Sequence, residues 1–128
     1  MNNPVENEIG EKIIGAAIKV HSALGPGLLE SAYEACLAHE LENTGLSVQQ
    51  QVVLPIVYSD LRLDTGYRLD LLVNQRVVVE LKAVEKLTDV HKAQLLSYPK
   101  LGGFKLGYIM NFNVARLRDG IVRMVNGL

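Results

Sequence analysis

Between Tyr67 and Ala83 the sequence reads YRLDLLVNQRVVVELKA, two apolar runs separated by a short polar break. This stretch constrains the fold more than any other. Strand side chains alternate between faces, so Leu69, Leu71 and Val73 are expected on one face and Arg68, Asp70 and Leu72 on the other. In the second run Val77, Val79 and Leu81 supply the matching apolar face, which leaves Glu80 and Lys82 together. Joining the apolar faces sets Asp70 opposite Glu80 and demands an odd loop, such as residues 74–76, or a bulge near the turn. A two-residue loop at Asn74 and Gln75 would set Asp70 opposite Val79 instead, because a slip of one residue moves every side chain to the other face.

Two carboxylates directly opposite one another repel unless something positive lies between them. A divalent cation is the economical answer, since magnesium takes oxygen ligands, often only one or two protein carboxylates, and completes its shell with water and phosphate oxygens. Lys82, two residues beyond Glu80, would point to the same place, where its ammonium could stabilise an attacking hydroxide or charge developing on a phosphoryl group. A second reading stays open: a solvated sheet face on which Lys82 makes an ordinary surface ion pair.

The remainder of the chain frames this hairpin. Ile9, Ile13, Ala17, Val20 and Leu24 recur at helical spacing and predict a helix from Val5 to Leu24, stopped by Gly25, Pro26 and Gly27. A second helix is expected from about Leu28 to Asn43, with Gly45 as its C-terminal cap. The β-branched run VQQQVVLPIVY predicts a strand, with an edge or bulge at Pro55, and LRLDTGYRLDLLV another after a turn at Ser59 and Asp60. Thr88 is placed to cap a helix from Asp89 to about Tyr98, where Pro99 should end or kink it. FKLGYIM reads as a buried strand and DGIVRMVN as a short last one. A length of 128 residues suits one domain, 1–128, and 21% charged residues suit a globular chain. A net charge of −1 gives no general attraction to polyanions or membranes, so any nucleic-acid contact must come from local basic groups. The acidic start, the lack of a long apolar run and the single cysteine, Cys36, predict a cytoplasmic protein with no membrane contact.

Asp70, then nine intervening residues, then Glu80-Leu81-Lys82 resembles the signature of the PD-(D/E)xK phosphodiesterases. With GLLESAY at 27–33, HKAQLLSY at 91–98 and NFNVARLRDGI at 111–121, the chain resembles the GxxExxY family assigned to that superfamily, from about Ile9 to Asn126. The resemblance implies an α/β, restriction-endonuclease-like core, a mixed central β-sheet flanked by α-helices. It implies that Glu30 joins Asp70 and Glu80 in holding Mg2+ or Mn2+, with Lys82 as the catalytic amine. Glu30 has its own local reading, a carboxylate favoured near a helix N-terminus. Tyr33 reads best as a core residue with a hydrogen-bonded hydroxyl. Gln94 and Tyr98, four apart, resemble the extra Gln-x-x-x-Tyr motif of the RecB-like branch; a polar helix face is the alternative. His91 is read as a substrate contact rather than a metal ligand, and Arg68, Lys86 and Lys92 as phosphate contacts. Cys36 and His39 lack an orienting acid and an oxyanion device, so they are read as packing rather than as a nucleophilic pair.

The function expected from the resemblance is metal-dependent hydrolysis of phosphodiester bonds in DNA or RNA. So few basic groups imply weak, salt-sensitive binding, or help from a second subunit in a homodimer or from a partner protein. The rival expectation is a non-catalytic nucleic-acid-binding or protein-interaction module that keeps the nuclease fold.

Overall fold

A computed structural model describes the backbone of residues 5–128 and the side chains within it outside 65–66 and 96–102. In chain order the elements are helix α1 (Val5–Leu24), helix α2 (Glu30–Asn43), strands β1 (Val48–Tyr58), β2 (Leu61–Val73) and β3 (Val77–Lys82), helix α3 (Asp89–Gly102), strand β4 (Leu106–Asn111), a 3-10 turn (Leu117–Gly120) and strand β5 (Ile121–Val125). The strands form one mixed sheet in the order β1-β2-β3-β4-β5. All neighbours are antiparallel except β3 and β4, which run parallel and therefore need the α3 crossover between them. No described helix is long and apolar enough to cross a membrane.

The hairpin register is the one that the apolar pattern requires. Leu71 pairs with Val79, Leu72 with Val78 and Val73 with Val77, so the ladder extended by one step sets Asp70 opposite Glu80. The connection shows how. Asn74 and Gln75 take φ of 50° and 57°, the left-handed pair of a type I′ turn, which the Arg76 N–H closes on the Val73 carbonyl at 3.0 Å. Arg76 is then the extra residue that makes the loop odd. The Asn74 side chain also accepts the Ser47 N–H at 2.8 Å, tying this turn to the start of β1.

Two apolar clusters lie on opposite faces of the sheet. The larger joins Ile9, Ile13, Ala17 and Val20 of α1 and Tyr33, Leu37 and Leu41 of α2 to Leu71, Val73, Val77, Val79 and Leu81. The smaller joins Leu69, Leu72, Val78, Ile109 and Met124 to Leu95 of α3. Leu69 therefore does not share a face with Leu71, as simple alternation predicts. The same switch occurs on β1, where Val48 packs with the first cluster and Val52 and Leu54 with the second. Between them stands Gln51 with φ of 54°, at the level of Asp70, since Gln50 pairs with Leu71 and Val52 with Leu69. Both strands skip one step of alternation at the same level, and the β1–β2 ribbon turns over there.

Other elements differ from expectation in detail. Helix α1 has its predicted bounds, although Leu24 is 40% exposed. Helix α2 begins at Glu30 rather than near Leu28, with Leu29 at the N-cap and no side-chain cap. Gly45, at φ 87°, closes its other end: its N–H bonds the Glu42 carbonyl and the Leu46 N–H the Leu41 carbonyl. Helix α3 runs through Pro99 to Gly102. Proline removes one N–H and crowds one carbonyl, and the helix continues past that local loss. Cys36 is exposed rather than packed.

Candidate functional site

The site is built where β2 and β3 part company. Beyond Leu71 and Val79 no pair among the described residues continues the ladder, although both strands do. Side chains replace the missing backbone bonds. The Asp70 N–H donates to Glu80 Oε1 at 3.2 Å, and the Leu81 N–H donates to Asp70 Oδ2 at 2.9 Å. Each acid thus sits on a backbone amide beside the other, so partial positive charge on two N–H groups offsets the repulsion that the register creates. Glu80 is 3% exposed, and Asp70 is half-buried.

Glu30 arrives from the other direction. As the first residue of α2, its Oε2 accepts the Ala83 N–H at 3.2 Å. Leu81 and Ala83 are two apart, so their amides point to one edge of the strand, about 7 Å from each other. The stretch Gly27 to Tyr33 is what delivers Glu30. Gly27 takes φ of 100°, a region that favours glycine. Tyr33, fully buried and stacked on Phe112 at 4.6 Å between centroids, donates its hydroxyl to the Gly25 carbonyl at 2.5 Å and accepts the Leu28 N–H at 3.1 Å. One phenol pins both ends of the turn that precedes Glu30. Tyr33 is thus a core residue with a satisfied hydroxyl, as its residue pattern predicts.

On its far side, β3 is held by β4. Lys82 pairs with Asn111, and the Phe112 N–H continues the ladder to the Lys82 carbonyl at 2.8 Å. Buried Asn111 clamps the chain just past Lys82, its Oδ1 accepting the Val84 N–H at 3.1 Å and its Nδ2 donating to the Val84 carbonyl at 2.9 Å. A side chain on Gly120 would run into the Asn111 carbonyl, so this position admits only glycine without a shift. Buried His21 bonds the Phe112 and Val114 carbonyls through Nε2, at 3.2 and 2.9 Å. Because both partners are acceptors, Nε2 carries the proton. Through these contacts the NFNVARLRDGI segment fixes the exit of β3, and with it Lys82. The Lys82 side chain is half-buried, and among the described residues no ion pair holds it.

The family model of the PD-(D/E)XK nuclease superfamily matches residues 7–124. The chain belongs to this superfamily. Its mixed sheet between helices is the restriction-endonuclease-like core. No curated protein and no solved structure matches the chain. In sequence, Asp70 and Glu80-Leu81-Lys82 read like the acid and the acid-x-lysine of the superfamily's name, with Leu69 where that name writes proline.

The remaining residues named from the sequence are scattered in role. Thr88 and His91 cap α3 reciprocally: the Thr88 N–H donates to His91 Nδ1 at 3.1 Å and the His91 N–H to Thr88 Oγ1 at 3.4 Å. That contact gives His91 a local role. Gln94 is half-buried on the same helix, and the Tyr98 side chain lies outside the described residues. Arg68, Lys86 and Lys92 are exposed. Among the described residues no three of the His, Cys, Asp and Glu side chains are gathered closely enough to hold one metal ion. Asp70 and Glu80 form a pair, and Glu30 stands off along the strand.

Three further residues, Glu34, Gln50 and Gln51, join this group. Gln51 Nε2 donates to Glu34 Oε1 at 2.6 Å and to Asp70 Oδ1 at 3.3 Å, and Gln50 Nε2 donates to Glu34 Oε2 at 3.0 Å. Glu34 lies one turn after Glu30, a spacing that sequence supplies. Nothing in the sequence says that Gln51 faces Asp70, because that depends on the β1–β2 register.

Proposed function

We propose that this protein is a divalent-metal-dependent nuclease that hydrolyses phosphodiester bonds in DNA or RNA. The observation that carries the proposal is the interlocked pair Asp70 and Glu80 at the splayed end of β2 and β3, two residues from Lys82, in a PD-(D/E)XK chain. The donor set suits Mg2+ or Mn2+. Two carboxylates from protein are a usual complement for magnesium, and an ionised carboxylate has about four lone-pair sites, more than the two that Asp70 gives to Gln51 and Leu81. Asp70 and Glu80 would hold the ion, with Glu30 as a third acid farther along the strand, at Ala83. A bound ion would supply Lewis acidity, lowering the pKa of the attacking water and offsetting charge on the scissile phosphate.

The chain's own residues do the remainder. Lys82 orients the attacking water and donates to the phosphoryl oxygen on which charge develops. Exposed Arg68, Lys86 and Lys92 contact the polymer's phosphates. So few cations at a net charge of −1 make binding weak and salt-sensitive, so a second copy or a partner protein assists.

Manganese titration read by thermal unfolding tests the first half: the melting temperature should rise with the ion, and the rise should disappear in Asp70→Ala and Glu80→Ala. Cleavage of single- and double-stranded DNA and RNA, lost in Lys82→Ala, tests the second. A metal-dependent shift without cleavage of any of these polymers would instead favour a binding module on the nuclease fold.

A further inference from the structure

Four non-glycine residues among those described have positive φ, and three of them sit in turns: Ser59 between β1 and β2, Asn74 and Gln75 between β2 and β3. Gln51 is the exception. It lies inside a strand, at φ 54°, facing Asp70. A long side chain is held in that backbone region only where its surroundings impose it. Gln51 is also exposed, so its hydrogen bonds compete with water and return little stability. What the distortion provides is reach. The two amide hydrogens of one Nε2 match two acceptors, Glu34 Oε1 at 2.6 Å on α2 and Asp70 Oδ1 at 3.3 Å on β2. The chain of contacts then continues through Asp70 Oδ2 to the Leu81 N–H on β3.

We propose that Gln51 is a positioning residue: its amide ties α2 to Asp70, so that Asp70 is held at Leu81 and Glu30, one turn before Glu34, is held at Ala83. With Gln50 on the other oxygen of Glu34, both oxygens of that carboxylate are occupied by glutamine donors. Glu34 therefore serves as the anchor, leaving Glu30 as the α2 acid at the strand end. The tie is neutral, which matters because a lysine or arginine in its place would compete with a cation for Asp70. The consequence for metal binding rests on the nuclease reading; the positioning itself does not.

The test is amide hydrogen exchange on the full chain without added metal, comparing Gln51→Gly with the natural protein. Glycine accepts the left-handed backbone and removes the whole side chain, its amide included. The Leu81 and Ala83 amides should exchange about tenfold faster while that of Met110, in the β4 ladder, stays unchanged. The melting temperature should not fall. Gln51→Glu, which keeps the length but cannot donate, should accelerate Leu81 in the same way. Unchanged exchange at Leu81 and Ala83 in Gln51→Gly overturns the proposal. Acceleration spread equally to Met110 also overturns it, since Gln51 would then be supporting the fold at large. A separate arm follows manganese by thermal shift, where the midpoint concentration should rise about tenfold in Gln51→Gly. A natural protein that shows no manganese response removes the nuclease reading, and the exchange result still decides what Gln51 does.

Discussion

The two edges of β3 are treated differently, and the difference explains the site. Towards β4 the ladder runs without a break from Val77 and Leu106 to Lys82 and Asn111, and Asn111 extends the grip to Val84. Towards β2 it stops after three pairs, and carboxylates occupy the places where backbone partners would be. One edge supplies rigidity. The other gives up regular pairing, and its amide groups become seats for acids that would otherwise repel. A strand fastened on one side can stay open on the other, and a site on such a strand keeps its geometry.

The largest effect expected from this contrast separates Lys82's backbone from its side chain. The backbone belongs to the fastened edge and should survive truncation; the amine takes no part in that ladder. Lys82→Ala should reduce cleavage by a hundredfold or more, about 3 kcal/mol of barrier, from loss of a charge aimed at the transition state. Its stability should stay within about 0.5 kcal/mol of the natural protein. Single-turnover cleavage beside a thermal melt reads both. A melting temperature that fell in step with activity would mean that Lys82 holds the strand instead.

Much of this arrangement is legible in the sequence, for a definite reason. The Asp70 and Glu80 register follows from matching two apolar faces over a few residues, and a slip would have moved every valine of β3 to the opposite face of the sheet, into the wrong one of the two clusters. Thr88 as a cap and Gly45 beyond α2 are equally local. What sequence does not reveal depends on partners distant in the chain. The face switch at Gln51 and Asp70 breaks the alternation on which strand reading rests, and only the facing strand reveals it. Asn111 reads as part of a motif, whereas its role in clamping Val84 needs the parallel pairing of β3 and β4.

Breaking the fastened edge should cost stability first and metal response second. Asn111→Leu keeps the volume but leaves the Val84 and Asn113 N–H groups without their side-chain acceptor and the Val84 carbonyl with only the longer bond from Asn113, so about 2 kcal/mol should be lost in urea unfolding. The manganese shift should shrink as well, since Ala83, where Glu30 sits, adjoins the released residue. Tyr33→Phe acts on the other support. Losing one hydroxyl that serves Gly25 and Leu28 should cost about 1 kcal/mol, and the Ala83 amide should exchange faster than that of Leu81, because the turn before Glu30 is what loosens. Equal acceleration at the two amides would mean that Tyr33 supports the whole site and not α2 alone.

The smallest expected effect is the most pointed, because its sign is opposite. Asp70→Asn leaves an oxygen to accept the Leu81 N–H, so the interlock can persist with only the longer bond from Gln51 given up, but it removes one of two charges that face each other across the gap. Opposed like charges destabilise a strand pair by up to about 1 kcal/mol, and the backbone amides offset only part of that. Without metal, Asp70→Asn should therefore be more stable than the natural protein by about 0.5 kcal/mol, a rise of about 2 °C in melting temperature. With saturating manganese the order should reverse, because only the natural protein gains from the ion. A structural acid would behave otherwise: its replacement would lower stability under both conditions, and the curves would not cross. Under the proposed metal-dependent function, the crossing measures what the open edge gives up without the ion in order to gain from it.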